Sequence, residues 1–299
     1  MSLLNKNLLV IGGTGFIGAH LCNFAIKKGM RVSSLSLNSK GKNRDINYIN
    51  ADITKIKNLK DCIHNNHFDY VVNCGGYINH KSFNKGGDKV INEHLLGVYN
   101  LIKVLNIQSI KKFIQIGSSD EYGIISAPQK ETDVCYPITP YAYAKYSSTK
   151  FLQMLGKNDS FNTVILRVFL TYGPGQKEDR LLPYVIKNLL KNKKVELSEG
   201  SQLRDFCYID DICNAIFICM ETNEINGEVF NICSGNGVSI RNIVENLGEL
   251  VGNRNFNYSN KRVENNELWG CNKKSLQILN WEPKVNLIDG LKKTIESYS

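Results

Sequence analysis

The sequence predicts an α/β protein built on a doubly wound parallel sheet. Short apolar segments at 8–11, 31–37 and 163–169 alternate with longer segments that have the apolar spacing of helices, such as 18–28 and 140–155. Strands separated by helices pair in parallel, and right-handed crossovers then cover both faces of the sheet with helices. The alternation therefore indicates one large α/β domain at the start of the chain.

The regular alternation does not continue to the end of the chain. In the last third, strand-like segments at 195–198 and 229–233 are mixed with helical segments such as 240–250. We predict a first domain over residues 1–169 and a smaller, mixed α/β C-terminal lobe over residues 170–299, from which some segments return to the first domain. No long linker separates the two regions, so we expect closely packed lobes with a cleft between them.

Composition and charge are those of an ordinary globular protein. Hydrophobic residues make up 42% and charged residues 22% of the 299 residues, which is typical of a protein with a sizeable core. The formal net charge is +9, but the densest basic run, 187–194, follows one side of an amphipathic helix without a nucleic-acid-binding motif. We therefore expect anionic small molecules, and no nucleic acid, as partners.

Cysteine and histidine usage bears on the compartment and on metals. The chain has nine cysteines and no Cys-x-x-Cys pair, which is typical of a reducing compartment. No apolar run is long enough for a signal peptide or a membrane span. The five histidines do not group with other ligands. We predict a cytoplasmic protein with no metal and no membrane partner.

A glycine-rich turn lies between the first strand and the first helix, and its residues are Gly12, Gly13, Thr14, Gly15, Phe16, Ile17 and Gly18. Gly12 permits the tight turn, Gly15 lets a pyrophosphate approach the backbone, and Gly18 lets the helix pack closely on the strand. The helix N-terminus adds free N–H groups and a partial positive charge. This strand–turn–helix context predicts a Rossmann-type dinucleotide site formed by the turn.

The end of the second strand bears on the choice of cofactor. A carboxylate at this place normally binds the 2′-hydroxyl of the adenosine ribose. Ser36 stands there instead, and the cations Lys40, Lys42 and Arg44 follow it. Without a carboxylate nothing repels a 2′-phosphate, and the cations are able to bind it. NADP(H) is therefore favoured, and NAD(H) stays as the alternative.

Two further segments are positioned to contact the cofactor. Asp52 and Ile53 follow the third strand, where the adenine edge is expected. Gly75, Gly76 and Tyr77 end the fourth strand, where small residues let the cofactor pass. We predict that all five bind the cofactor.

A tyrosine and a lysine stand one helical turn apart at the start of the long helix 140–155. Tyr141 and Lys145 are at i and i+4 and share a face, whereas the i+4 partner of Tyr143 is Ser147. A phenol is a poor base at neutral pH, but a neighbouring ammonium favours the phenolate. Tyr141 is then able to exchange a proton with a hydroxyl or ketone as hydride moves, while Lys145 also holds the nicotinamide ribose. Upstream, Ser118 follows a strand end and is predicted to hydrogen-bond the reacting oxygen.

Taken in order, the glycine loop, the serine strand end and the tyrosine helix resemble those of the extended short-chain dehydrogenase/reductases. The resemblance is to the nucleotide-sugar epimerases, dehydratases and reductases of that family, and it covers nearly the whole chain. It includes the segments Arg167-Val168-Phe169, Tyr172-Gly173-Pro174-Gly175, Arg204-Asp205-Phe206-Cys207-Tyr208-Ile209-Asp210-Asp211 and Leu279-Asn280-Trp281-Glu282-Pro283.

This resemblance implies roles for five residues. Ser118, Tyr141 and Lys145 would be the catalytic triad, and Tyr141 and Lys145 would also contact the cofactor. Arg204 and Arg262 would grip the diphosphate of a nucleotide-diphosphate sugar, because guanidinium groups bind phosphate bidentately. The resemblance also implies a homodimer.

Four positions bear on which reaction the family member carries out. Aligned without a gap, Ser119 and Asp120 fall on the acid and base positions of the family's dehydratases, whereas a shift by one residue aligns Asp120-Glu121 with them. Leu170 stands where many epimerases carry an asparagine that contacts the substrate. His94 stands where an asparagine often lies near the cofactor. The resemblance thus assigns substrate contacts to Ser119, Asp120 and Leu170 and a cofactor contact to His94.

The segments 198–211 and 262–271 are similar to reductases that act on nucleotide 4-keto-6-deoxyhexoses in surface-polysaccharide (O-antigen or capsule) pathways. The favoured expectation is therefore reduction of such a 4-keto group with NADPH. A 4-epimerase with tightly bound NAD and a 4,6-dehydratase are the alternatives within the family. A nucleotide-sensing protein on the same fold is the alternative outside enzymes, and the intact Ser118, Tyr141 and Lys145 argue against it.

Overall fold

The computed structural model describes residues 3–38, 41, 43–159, 161–260 and 267–298. The chain divides into two compact units. The first unit comprises residues 1–125, 131–167 and 213–230, and the second comprises residues 126–130, 168–212 and 231–299. The chain therefore leaves the first unit after residue 167 and comes back to it at residue 213.

A seven-stranded sheet organises the first unit. Its strands are β1 (Asn7–Ile11), β2 (Arg31–Ser36), β3 (Ile46–Asn50), β4 (Tyr70–Asn73), β5 (Lys112–Ser118), β6 (Thr163–Val168) and, much later in the chain, β11 (Glu228–Ile232). They lie in the order β11-β6-β5-β4-β1-β2-β3, and β1–β2, β2–β3, β1–β4 and β4–β5 pair in parallel. The order reverses between β1 and β4, which is the switch point of a doubly wound sheet. The predicted fold class is confirmed.

Helices cover this sheet and complete its core. Helices α1 (Phe16–Lys27), α2 (Ile56–Ile63), α3 (Gly87–Ile91), α4 (Gly97–Val104) and α5 (Pro140–Asn158) belong to the first unit. Leu9, Val71 and Phe113 on the strands are fully buried with Leu101 and Leu152 on the helices. The strands are continuous apolar runs because they are covered on both faces.

A π-helical stretch joins α3 to α4. It covers Asn92–Leu96, so that the chain is helical without a break from Gly87 to Val104. The sequence predicts a single helix over 90–105, because apolar periodicity does not reveal one wide turn inside a helix. Such turns occur often at functional sites. Three short 3₁₀ turns, Phe83–Lys85, Ile107–Ser109 and Ser119–Tyr122, complete this unit.

The second unit mixes short strands and helices. Its strands are β7 (Leu170–Tyr172), β8 (Val195–Leu197), β9 (Leu203–Arg204), β10 (Phe206–Tyr208), β12 (Val238–Ser239), β13 (Phe256–Tyr258) and β14 (Glu267–Leu268). They pair as β10–β7, β12–β9–β14 and β13–β8. Its helices are α6 (Leu181–Leu190), α8 (Ile240–Val251), α9 (Lys273–Leu279) and α10 (Leu287–Glu296), while α7 (Ile209–Glu221) begins in this unit and ends in the first.

Two buried aspartates connect segments of the second unit through hydrogen bonds. Asp205 accepts hydrogen bonds from the backbone N–H groups of Ser234 and Gly235 at 2.6 and 3.0 Å. Asp211 accepts from the backbone N–H groups of Lys284 and Val285 at 3.0 and 3.1 Å. Each carboxylate thus joins segments far apart in sequence, so these motif residues serve the packing of the unit.

Candidate functional site

The glycine loop has the geometry that its sequence predicts. Gly12 has a φ of +73°, which a side chain rarely adopts. A Cβ on Gly18 would lie 2.2 Å from the Gly12 carbonyl oxygen, so only glycine lets α1 approach the loop this closely. Gly15 is exposed and caps α1, whose first turn contains Phe16 and Ile17 and no acidic residue. The first N–H groups of a helix lack intrahelical partners, so this end of α1 is suited to an anion.

The loop lies directly at the switch point of the sheet. The backbone N–H of Cys74, just past β4, donates to the carbonyl of Ile11 at 2.9 Å. A Cβ on Gly12 would lie 2.8 Å from the Cα of Gly75. The predicted pyrophosphate loop and the predicted small-residue segment after β4 are therefore in contact, in the crevice where open α/β sheets bind ligands.

Ser36 contacts the glycine loop through a hydrogen bond. It is buried at the end of β2, and its Oγ accepts a hydrogen bond from the backbone N–H of Thr14 at 3.4 Å. A neutral hydroxyl therefore stands where a carboxylate is common. Arg44 is exposed in the turn before β3, whereas Lys40 and Lys42 lie outside the described residues.

Asp52 and Ile53 occupy the neighbouring strand end. One carboxylate oxygen of Asp52 accepts from both the backbone N–H and the hydroxyl of Thr54, at 2.8 and 2.7 Å, which fixes the turn into α2. The Ile53 side chain packs on Gly97, because a Cβ at Gly97 would lie only 2.6 Å from the Cδ1 of Ile53. A Cβ at Gly75 would lie 3.8 Å from the same Cδ1. Ile53 thus borders the same crevice, while the Asp52 carboxylate is hydrogen-bonded within the turn to Thr54.

His94 lies in the π-helical stretch and faces the segment after β4. Its Nε2 is 3.1 Å from the carbonyl oxygen of Tyr77, and a Cβ on Gly76 would lie 2.2 Å from its Cε1. Burial, assisted by the Lys145 charge, lowers the pKa of His94 to about 3. The ring is therefore neutral at physiological pH, and its Nε2–H donates to Tyr77. Ser148 donates its hydroxyl proton to the backbone carbonyl of His94 and ties this stretch to α5.

Helix α5 holds the predicted tyrosine and lysine. The Thr139 hydroxyl caps it by accepting from the backbone N–H of Ala142 at 3.1 Å, and Pro140 occupies its first turn. Tyr141 and Lys145 are each 4% exposed. The Lys145 ammonium donates to the Ile116 carbonyl on β5 at 2.7 Å. Burial lowers the pKa of Lys145 to about 8, although the negative charge of Glu121 opposes the shift.

Ser118 is the last residue of β5 and is held from two directions. Its backbone N–H donates to Oε1 of Glu121 at 2.9 Å, and its Oγ accepts from the backbone N–H of Asp120 at 3.2 Å. Helix α5 packs against β5 and against the 3₁₀ turn that follows Ser118. A hydroxyl that accepts one hydrogen bond still has its own proton to donate, so Ser118 is able to bond to a reacting oxygen.

Two histidines flank the ring of Tyr141. The ring centroid of His94 lies 5.1 Å away at 83°, and that of His80 lies 5.6 Å away at 82°. His80 is exposed, and its Nε2 is 3.8 Å from a carboxylate oxygen of Asp120. The sequence does not predict this position of His80, because nothing in its local pattern signals a partner 61 positions further along. Ser119, next to Asp120, is buried.

The second unit holds the predicted substrate residues Leu170 and Arg204. Leu170 begins β7 and is 41% exposed. Arg204 is half-buried on β9, and its Nη1 donates to the carbonyl of Leu203 at 2.7 Å. Arg262 lies outside the described residues.

Two further features concern the described residues, a metal-binding cluster and a membrane-spanning helix. In that part of the chain, no three histidine, cysteine, aspartate or glutamate side chains are grouped to hold a metal ion. None of the described helices combines the length and the apolar character that crossing a bilayer requires.

The glycine loop, the switch point and the α5 pair fit a dinucleotide cofactor, and a family comparison agrees. A family model described as the NAD dependent epimerase/dehydratase family matches residues 8–233. The chain belongs to this family. The predicted extended short-chain dehydrogenase/reductase relationship is thereby confirmed, as is the prediction of an enzyme.

Three similar proteins illustrate the range of the family. UDP-glucuronate 4-epimerase of Thermodesulfobacterium geofontis is 26% identical, over 96% of this chain and 94% of its own length. Human dTDP-D-glucose 4,6-dehydratase is 25% identical, over 98% and 90%. The crystal structure of Bacillus cereus UDP-glucuronic acid 4-epimerase, in complex with UDP-glucuronic acid and NAD, superposes with a TM-score of 0.86 at 27% identity and covers 98% of this chain and 99% of that one.

Proposed function

We propose that the protein reduces the 4-keto group of a nucleotide-diphosphate 4-keto-6-deoxyhexose with NADPH, in the supply of sugars for surface polysaccharides such as O-antigen or capsule. The observation that carries the choice of cofactor, and with it a net reduction, is Ser36. A buried neutral hydroxyl ends β2 beside the glycine loop, where an NAD-specific site normally has a carboxylate. Arg44, with Lys40 and Lys42, supplies the positive charge that a 2′-phosphate needs.

The reacting residues divide the work of the reduction. When bound, the nicotinamide supplies the hydride. Ser118 donates its free hydroxyl proton as a hydrogen bond to the C4 oxygen and holds the ketone in place. Tyr141 gives its phenolic proton to the same oxygen as negative charge develops there. The Lys145 ammonium stabilises the phenolate that remains and binds the nicotinamide ribose.

The remaining predicted residues would recognise the sugar nucleotide. Arg204 and Arg262 bind the diphosphate, and Ser119, Asp120 and Leu170 contact the hexose. A dehydratase needs an acid as well as a base to eliminate water, and Ser119 supplies no carboxyl group at the acid position of the gapless alignment. This favours reduction over dehydration.

The second candidate is a 4-epimerase that retains NAD. Two of the similar proteins are UDP-glucuronate 4-epimerases, and one of them binds NAD. An epimerase oxidises and then reduces the same carbon, so it leaves its cofactor unchanged. The two candidates therefore differ in whether NADPH is consumed.

The decisive experiment supplies nucleotide 4-keto-6-deoxyhexoses with different bases, each made enzymatically from the nucleotide hexose. We expect stoichiometric oxidation of NADPH and formation of the corresponding 6-deoxyhexose with one of them. Purified protein that carries NAD, interconverts 4-epimeric nucleotide sugars and oxidises no NADPH would replace this proposal with the epimerase.

A carboxylate at the end of β2 is expected to reverse the cofactor preference. Ser36→Asp places a negative charge against the 2′-phosphate and offers an acceptor to a 2′-hydroxyl, so we expect the NADPH/NADH ratio of kcat/KM to fall at least about tenfold. Ser36→Asn, which has the same size without the charge, is the matched control. A wild-type preference for NADH, or equal ratios in the two variants, would contradict the assignment.

We also propose a homodimer formed through the helical segment 91–99 and α5. Leu96 and Tyr99 are 42% and 43% exposed, and together with Ile91, Leu95 and Phe151 they line an apolar groove of about 290 Å³. An exposed apolar helix face of this kind is typical of association with a second copy. Light scattering of the purified protein measures the state directly, and a monomer at all concentrations would exclude the dimer.

A further inference from the structure

A buried ion pair lies directly behind the predicted catalytic serine. Nε of Arg167 on β6 is 2.9 Å from Oε2 of Glu121, and the two residues are 2% and 0% exposed. The guanidinium also lies over the ring of Tyr122, 4.5 Å from its centroid. Replacing a buried ion pair with apolar side chains is often neutral or stabilising, so stability alone is a weak reason for one here.

The second carboxylate oxygen of Glu121 reaches the reacting end of β5. Its Oε1 accepts the backbone N–H of Ser118 at 2.9 Å, and a Cβ on Gly117 would lie 2.6 Å from the same oxygen. The absence of a side chain at Gly117 is what admits the carboxylate. Glu121 therefore holds the backbone from which the Ser118 hydroxyl projects.

The Lys145 ammonium is bound to the same short stretch of strand. It donates to the carbonyl of Ile116, two residues before Ser118. The carboxylate of Glu121 and the ammonium of Lys145 are thus both hydrogen-bonded to the backbone of residues 116–118. A shift of Glu121 would move the serine and the surroundings of the ammonium together.

The charges around Lys145 single out Glu121. Cys74, just past β4, is uncharged because burial raises its pKa to about 12. His94, from the π-helical stretch, is neutral because burial lowers its pKa to about 3. Glu121 is the anion that favours the charged form of Lys145, against a burial that opposes it.

We propose that Glu121 is a positioning residue with two tasks, to align Ser118 and to keep Lys145 protonated, while Arg167 holds its carboxylate in place. The proposal relies on the proposed function only in that Ser118, Tyr141 and Lys145 are the reacting set. It does not depend on which sugar is reduced or on which nicotinamide cofactor is used.

The test measures the titration of Lys145 directly, without substrate. In protein labelled with ¹³C-lysine, the side-chain carbon next to the ammonium is followed by NMR as the pH is raised, and the Lys145 signal is assigned by its absence in Lys145→Met. We expect Glu121→Gln to lower the midpoint of this titration by about one pH unit. The alkaline limb of kcat/KM is expected to move down by a similar amount.

A second pair of variants separates charge from structure. The double variant Glu121→Gln/Arg167→Met carries no charge at either position, and its Lys145 midpoint is expected to lie above that of Glu121→Gln alone. A loss of packing alone would impair the double variant further and leave the midpoint where it was. If Glu121→Gln does not fold, the double variant is compared with the single variant Arg167→Met. We then expect the Lys145 midpoint of the double variant to lie about one pH unit below that of Arg167→Met.

A Lys145 midpoint that is unchanged by the removal of Glu121 in both backgrounds would overturn the proposal. A shifted midpoint in a protein that reduces no 4-keto sugar would leave the positioning role standing and reject the proposed reaction. The two results are therefore distinguishable.

Discussion

Tyr141→Phe is expected to lower turnover by about a thousandfold while cofactor binding persists. The phenolic proton is the one that the C4 oxygen receives, and general acid catalysis of this kind contributes about 10²–10⁴ to the rate. The phenylalanine ring retains the contacts with His80 and His94, because these involve the ring faces and edges. Turnover of the nucleotide 4-keto sugar and the Kd of NADPH, by fluorescence titration, measure the two effects separately.

Tyr143 provides the matched control for this substitution. It lies two residues further along the same helix and is 52% exposed. Tyr143→Phe removes the same hydroxyl group from a residue whose i+4 neighbour is Ser147, and we expect turnover to stay within about twofold. Full activity in Tyr141→Phe, or equal losses in the two variants, would remove Tyr141 from the mechanism.

Lys145→Met is expected to abolish most activity and, at the same time, to stabilise the fold at neutral pH. Without the ammonium, the phenolate of Tyr141 loses its neighbouring charge and the nicotinamide ribose loses a donor. We expect kcat to fall by about 10²–10³ and the KM for NADPH to rise. The increase in KM distinguishes this variant from Tyr141→Phe.

The gain in stability follows from the lowered pKa of Lys145. Burial brings this pKa from 10.5 to about 8, so that between these values the folded chain binds fewer protons than the unfolded chain. The free energy of unfolding of the wild type therefore increases as the pH rises from 8 to 10.5. Below pH 8 the buried lysine is charged, and its desolvation lowers the free energy of unfolding by the full amount. Allowing for the lost donor to Ile116, methionine is expected to add roughly 2 kcal/mol to the free energy of unfolding at pH 7.

Denaturant unfolding at neutral and at alkaline pH measures this contribution. The advantage of Lys145→Met over wild type is expected to shrink as the pH passes 8, because the wild-type lysine then becomes neutral. Lys150→Met, on an exposed turn of the same helix, is the control and is expected to change stability by less than about 0.5 kcal/mol. A destabilised Lys145→Met would mean that the packing of the lysine outweighs its desolvation.

Features that depend on neighbours in sequence could be predicted from the sequence. The glycine loop needs a strand, a turn and a helix in succession, and the chain supplies all three within residues 7–27. Tyr141 and Lys145 share a face because a helix repeats every 3.6 residues. The doubly wound sheet follows from the order of its elements, since crossover handedness leaves few alternatives.

Features that depend on distant contacts could not be predicted in this way. His80 meets Tyr141 across 61 positions, and Arg167 meets Glu121 across 46. Either contact requires knowledge of which strand lies beside which. The link between Ser118 and Glu121 did carry a local signal, because a serine followed three residues later by a glutamate is a capping-box pattern. That pattern identifies the hydrogen bond, although it does not reveal the arginine behind it.

The interleaved path of the chain has a consequence for how the protein is made. In the finished sheet β6 lies between β5 and β11, but residues 169–227 separate β6 from β11 along the chain. A ribosome therefore releases β6 long before its outer neighbour exists. During that interval β6 exposes a row of unpaired backbone groups, to which strands of other nascent chains are able to add. Synthesis must pass residue 232 before β11 pairs with β6 and takes its place as the edge strand, and chaperone protection of β6 matters most before that point.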